Sequence, residues 1–177
     1  MRVIAVDGSP TGRGKTAAAV SGVLAGLPSV FDTEVVTLAD GVDPALASLD
    51  GADAFVFSSP MYRASYAAPL KALLDRLPRG MWGESSAPIT GHAVAIVGTG
   101  ASWHHFLGLD PLRSVLSGFF AAHVVTPGLY VPGEGFDAEG RLLEKFAELA
   151  ALQGAALAEL AQAVGASPAL RAVRPQA

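Results

Sequence analysis

Val3-Ile4-Ala5-Val6-Asp7-Gly8-Ser9-Pro10-Thr11-Gly12-Arg13-Gly14-Lys15-Thr16 opens the chain, and the helix-compatible Ala17-Ala18-Ala19-Val20 follows it. The pattern is a buried strand that turns through a Gly/Ser/Thr loop into a helix. The first turn of a helix has backbone N–H groups without acceptors and carries the positive end of the helix dipole, so such a loop is an anion cradle. Ser9, Thr11 and Thr16 add hydroxyls, and Arg13 and Lys15 add positive charge. The stretch reads as a phosphate site. It is not a P-loop: G-x-x-x-x-G-K-[ST] fits at Gly14-Lys15-Thr16, but its first glycine falls on Ser9, and Gly8 is one residue early. The next apolar strand ends in Ser58-Ser59-Pro60, without the Asp that would help hold magnesium.

The same strand–loop–helix order recurs twice. Ala54-Phe55-Val56-Phe57 leads into Ser58-Ser59-Pro60-Met61-Tyr62-Arg63-Ala64-Ser65-Tyr66, after which Leu70, Leu73, Leu74 and Leu77 keep helical spacing. Val94-Ala95-Ile96-Val97 leads into Gly98-Thr99-Gly100-Ala101-Ser102 and then Trp103-His104-His105-Phe106. Three such loops converge at the carboxyl edge of a parallel sheet, where open α/β sheets bind ligands.

Composition narrows the classes. The chain has 177 residues, 51% hydrophobic and 16% charged, which suits one domain with a single core rather than disorder. Twelve basic against sixteen acidic residues give a formal charge of −4, with no basic tract, so nucleic-acid binding has no support. There are no cysteines, which excludes disulfides, thiol nucleophiles and cysteine-held clusters. The N-terminal apolar run is too short for a signal peptide, and no apolar stretch approaches the ~18 residues of a membrane span. The expected setting is cytoplasmic. His104 and His105 are adjacent and would point about 100° apart on a helix, so no metal site is expected and both read as structural.

The patterns predict strands at 2–7, 33–38, 53–58, 92–97 and 123–126, and helices at 15–26, 67–77, 110–121 and 139–164. Segment 40–52 reads as a short acidic connector with room for one helical turn, and 79–91 and 127–138 as loops. Asp110-Pro111 reads as an N-cap with proline at the first helical position. Strands alternating with helices mean a parallel sheet covered on both faces.

At this point the chain resembles the NAD(P)H-dependent FMN reductases of the flavodoxin-like fold. The matching residues are Gly8-Ser9-Pro10 with Thr16, then Ser59-Pro60-Met61-Tyr62-Arg63-Ala64-Ser65-Tyr66 with Pro69-Leu70-Lys71 and Leu74-Asp75, then Gly98-Thr99-Gly100 with His105. The resemblance runs from about residue 1 to about residue 135, and is nearest to the branch that serves sulfonate monooxygenases. It implies a doubly wound, five-stranded parallel sheet with helices on both faces. Residues 1–164 would form a single FMN-binding domain, and 165–177 a frayed tail.

The resemblance further implies FMN as the flavin, with NADPH or NADH as reductant. Ser9, Arg13, Lys15 and Thr16 would hold the phosphate. Pro60, Met61, Tyr62 and Arg63 would lie along the flavin ring near its N5 and O4 edge. Gly98, Thr99 and Gly100 would let backbone approach its pyrimidine edge, with Ser102 adding a hydrogen bond. No acid or base is required, because flavin carries the hydride chemistry and the protein supplies position and electrostatics. A homodimer or homotetramer is implied, with a flavin-dependent monooxygenase as a further partner. In members that release their flavin, an extra aromatic residue enlarges the helix after the third loop; Asp110–Leu116 shows no such insertion, so a regular helix and firm flavin retention are expected. The alternative reading is a flavodoxin-type electron carrier that binds FMN without oxidising nicotinamide nucleotides. Arg13, Lys15, Arg63 and Lys71 speak against the acidic surroundings such carriers favour.

Overall fold

Along the first strand, Val3 and Ala5 enter one apolar cluster and Ile4 and Val6 another. Successive strand side chains point to opposite faces, so both faces of this strand are buried. A computed structural model describes residues 1–176. It contains β1 (Arg2–Asp7), α1 (Lys15–Ala25), β2 (Asp32–Thr37), α2 (Val42–Leu49), β3 (Ala54–Tyr62), β4 (Ser65–Tyr66), α3 (Ala68–Arg76), β5 (Ala93–Gly100), α4 (Leu109–Ser114), β6 (His123–Val124), β7 (Leu129–Pro132), α5 (Glu144–Ala166) and α6 (Pro168–Arg171).

The sheet runs β2-β1-β3-β5-β6, all parallel, with β7 also parallel to β5. β6 pairs with Ala93 and Val94, and β7 pairs with the stretch from Val97 to Gly100. The two therefore occupy one ladder position, split by residues 125–128. Five parallel positions result, as expected, but seven strands rather than five: β4 adds a short antiparallel ribbon on β3, with Met61 opposite Tyr66 and Tyr62 opposite Ser65. Helices α2, α3 and α4, with the turn that follows α4, cover one face with Leu49, Leu70, Leu73, Leu112 and Leu116. Helices α1 and α5 cover the other with Val20, Val23, Phe146, Leu157 and Ala161. By length and composition alone α5 could cross a membrane; here its Phe146, Ala150, Leu157 and Ala161 are buried against the sheet and α1.

Several expectations are corrected. The segment 40–52 holds more than the one helical turn allowed for it, since the eight residues of α2 lie in it and bury Ala45 and Leu49. Asp110 is not an N-cap: a 3₁₀ segment, Trp103–Gly108, runs straight into α4, so Asp110 lies inside the helix and ion-pairs with Arg113. The helix expected to be regular after it is not. Val115–Phe119 is π-helical, and the Phe120 N–H reaches the Val115 carbonyl at 3.1 Å. Leu112, Leu116 and Phe120 are all buried. Residues four apart drift by about 40° per step on a regular helix; the wider turn keeps Phe120 inward and sends Phe119 out. Firm flavin retention, expected from a regular helix, therefore has no support in this segment. The tail does not fray at Gly165: α5 continues to Ala166, and α6 is capped by the Ser167 hydroxyl, which accepts from the Leu170 N–H. His123 Nε2 donates to the Leu170 carbonyl at 2.9 Å, which ties α6 to the sheet edge. Ala177 lies outside the described residues.

Candidate functional site

β1 has β2 on one side and β3 on the other, so the connections leave it in opposite directions. A crevice opens at the carboxyl ends of strands at such a switch point. The loop after β1, the end of β3 and the end of β5 meet there around a cavity of about 400 Å³.

The first loop is held from below. Gly8 donates its N–H to the Ser58 carbonyl at 2.9 Å, and a Cβ on it would sit 2.3 Å from that oxygen. Only glycine brings the loop this close to β3. Asp7 is buried beneath the loop and accepts from the Ser9 N–H at 2.9 Å. Burial holds its carboxyl above the ordinary carboxylate range, partly opposed by that hydrogen bond. The Ser9 hydroxyl accepts from the N–H groups of Thr11 (3.2 Å) and Gly12 (3.1 Å), closing a tight turn. Gly14, at φ 93°, delivers the chain into α1 with no side-chain cap and no acid in the first turn. The helix's positive end is thus left to face the cavity.

The second loop is set by Ser59, whose hydroxyl accepts from the Ala67 N–H at 2.8 Å and donates to the Pro60 carbonyl at 2.8 Å. β3 then runs on past the edge of the sheet into a hairpin. Its turn places Arg63 (φ 52°) and Ala64 (φ 63°) in the left-handed region, which costs non-glycine residues about 1 kcal/mol or more apiece. Tyr62 borders the cavity and is 56% exposed. The first and third loops are bonded to each other: Thr16 Oγ1 and Thr99 Oγ1, both buried, lie 2.8 Å apart.

Of the residues expected to form the site, Ser9, Arg13, Lys15, Thr16, Pro60, Met61, Tyr62, Thr99 and Gly100 line this cavity. Arg63, Gly98 and Ser102 do not. Arg63 sits exposed at the hairpin tip. Gly98 is packed one pleat further in: a Cβ there would meet Leu109 and Met61 at 2.9 Å and Tyr130 at 3.3 Å. Ser102 turns to His104 Nδ1 at 3.1 Å, while its carbonyl accepts from the Tyr130 hydroxyl at 2.6 Å. Three lining residues went unassigned in the sequence, Pro10, Thr11 and Ala101. Thr11 had a signal, as a third hydroxyl in the loop; Pro10 and Ala101 carry no polar side chain and had none.

The lining contains two cations, four hydroxyl side chains besides the Tyr62 phenol, and no carboxylate. With an uncapped helix N-terminus, this donor set fits a phosphate-bearing ligand. Fold and site together define a flavodoxin-like α/β domain with an anion cradle at its switch point. The pattern of the NADPH-dependent FMN reductase family matches residues 1–137, and the chain belongs to that family. The NADH-dependent FMN reductase SfnF of Pseudomonas putida is 35% identical over 92 residues, covering 52% of this chain and 46% of that protein. The chain thus matches about half the length of this curated relative. Among solved structures, the apo form of an NADH:FMN oxidoreductase (EMOB) superposes with a TM-score of 0.71 at 24% identity, covering 96% of this chain and 93% of that one. A WrbA-like flavodoxin from Agrobacterium tumefaciens gives a TM-score of 0.70 at 20% identity, covering 92% and 98%. At these identities the structural likeness speaks to the fold.

Proposed function

We propose that the protein is an NAD(P)H-dependent FMN reductase, moving a hydride from NADPH or NADH to FMN and from there to free flavin or another acceptor. The observation that carries this reading is a cavity lined by Ser9, Arg13, Lys15 and Thr16 and free of carboxylates, in a chain of this family. Residues 1–164 are taken as the flavin-binding unit.

FMN, when bound, supplies the hydride-accepting chemistry. Ser9 and Thr16 hydroxyls, Arg13, Lys15 and the first-turn N–H groups of α1 would hold its phosphate. Pro60, Met61 and Tyr62 would flank the ring, and Thr99 and Gly100 would border its pyrimidine edge. The Thr16–Thr99 hydrogen bond supports this arrangement, because it fixes the phosphate loop relative to the loop that faces the ring. The backbone of these loops stabilises negative charge without a titrating group, so no side chain is assigned as acid or base.

We further propose a homodimer or homotetramer in the cytoplasm, passing electrons to a flavin-dependent monooxygenase. The support for assembly is the exposed apolar surface of Trp103, Phe106, Leu107 and Leu152. The test of the reductase reading is steady-state oxidation of NADPH and of NADH with and without added FMN. FMN-dependent oxidation is expected; FMN binding without any oxidation would make the protein a carrier.

A further inference from the structure

Arg79 lies far from the flavin cavity, between α3 and β5, and is only 6% exposed. Its guanidinium carbon sits 4.6 Å from the ring centroid of Trp82 and 4.0 Å from that of Phe119. Two aromatic rings occupy the neighbourhood of the cation, yet a ring offers only its quadrupole and accepts none of the five N–H donors as an oxyanion does. Among the described residues no carboxylate lies at ion-pair distance from this guanidinium, and its side chain makes no hydrogen bond. Glu84 belongs to the same turn and its charge attracts the guanidinium through space, but its carboxylate is held by the backbone N–H groups of Arg79 (2.8 Å) and Met81 (3.2 Å) and makes no direct ion pair. The stem of the side chain is buried while the guanidinium nitrogens reach the surface of a pocket, where an oxyanion could meet them.

The guanidinium borders a pocket of about 570 Å³ between the π-helical turn Val115–Phe119 and residues 173–176. Ser114 and Arg174 line the same pocket. The Ser114 hydroxyl has no hydrogen-bond partner among the described residues. Arg174 directs one nitrogen to the carbonyls of Arg171 and Val173, which holds its charge at the pocket wall. No acidic residue lines this pocket.

We propose that this pocket is a second ligand site, one that takes a small free oxyanion of the phosphate or carboxylate class on Arg79. The planar fork of the guanidinium matches two oxygens of such a group, with the Trp82 and Phe119 rings close beside it. The site lies apart from the three loops of the flavin cavity and shares no lining residue with it.

The experiment is calorimetric titration of inorganic phosphate, and separately of succinate, into protein saturated with FMN so that the phosphate cradle is filled. Saturable one-to-one binding of at least one of the two is expected. Arg79→Gln should weaken it by about tenfold or more, because a charge-assisted pair is lost, and Arg79→Lys should retain part of the affinity. Saturable binding that is equal in wild type and Arg79→Gln would overturn the proposal, as would no binding of either anion at millimolar concentration. A lower mass by light scattering in Arg79→Gln, with no anion bound by wild type, would also overturn it, and would assign the anion to a carboxylate of a second copy. Because binding is read by heat and not by turnover, the outcome is independent of whether the protein reduces FMN.

Discussion

Ser9 has two duties, and its substitution separates them. Its hydroxyl closes the first loop on the Thr11 and Gly12 N–H groups and lines the cavity. Ser9→Ala and Thr16→Val should each weaken FMN binding by about 1.5–3 kcal/mol, tenfold or more, while the protein stays folded; calorimetric FMN titration with a parallel circular-dichroism melt is the check, and unchanged affinity in both variants would put the phosphate elsewhere. Asp7 gives a pH prediction. Its folded pKa is raised above the ordinary value of 3.8 by burial, so the folded state holds the proton more tightly than the unfolded chain. Its stabilising contribution is whole below that ordinary value and is lost as pH rises through the raised one. Asp7→Asn should therefore melt higher than wild type near neutral pH, with the gain shrinking as pH falls toward about 4; a pH-independent difference would contradict this. The cavity residues of the first loop, Ser9, Arg13, Lys15 and Thr16, were legible because they follow one another along a short stretch of chain. Arg63, Gly98 and Ser102 fall outside the cavity lining because their directions depend on the left-handed hairpin turn, the depth of the pleat and the Tyr130 contact, none of which is local in sequence.

At the scale of elements, periodicity revealed what was long and uninterrupted. β1, β3, β5, α1, α3 and α5 were found within a few residues of their ends. α2 was hidden by Gly41, Pro44 and Gly51, although Ala45 and Leu49 keep a helical interval toward the sheet. β7 was hidden among Pro127, Gly128, Pro132 and Gly133, residues that usually punctuate loops. The π-helical turn left no mark because Leu112, Leu116 and Phe120 fit a regular helix nearly as well. Packing of α1 on α5 rests on glycine: a Cβ on Gly154 would lie 2.0 Å from the Val23 carbonyl, and one on Gly26 2.0 Å from that of Ala151. Gly154→Ala should cost about 2–3 kcal/mol by forcing the helices apart. Gly118→Ala meets nothing within 4 Å and should be neutral or stabilising by up to about 1 kcal/mol. Urea denaturation midpoints decide both, and equal midpoints for the two variants would show that the α1–α5 contact is not close-packed.

The whole molecule leaves a coherent apolar surface uncovered. Trp103, Phe106, Leu149 and Leu152 border a groove of about 810 Å³ between α4 and α5. Patches of this kind mark interaction sites, so at least a dimer is expected by light scattering at micromolar concentration, and a single monomer mass would contradict it. The central claim is that the three loops at the switch point bind FMN for reduction by a nicotinamide nucleotide. Its most direct test is anaerobic stopped-flow mixing of FMN-loaded protein with NADPH, and separately with NADH, following the visible flavin absorbance. The account predicts that at least one nucleotide bleaches the flavin far faster than it bleaches free FMN. Bleaching by both at the rate of free FMN would contradict it.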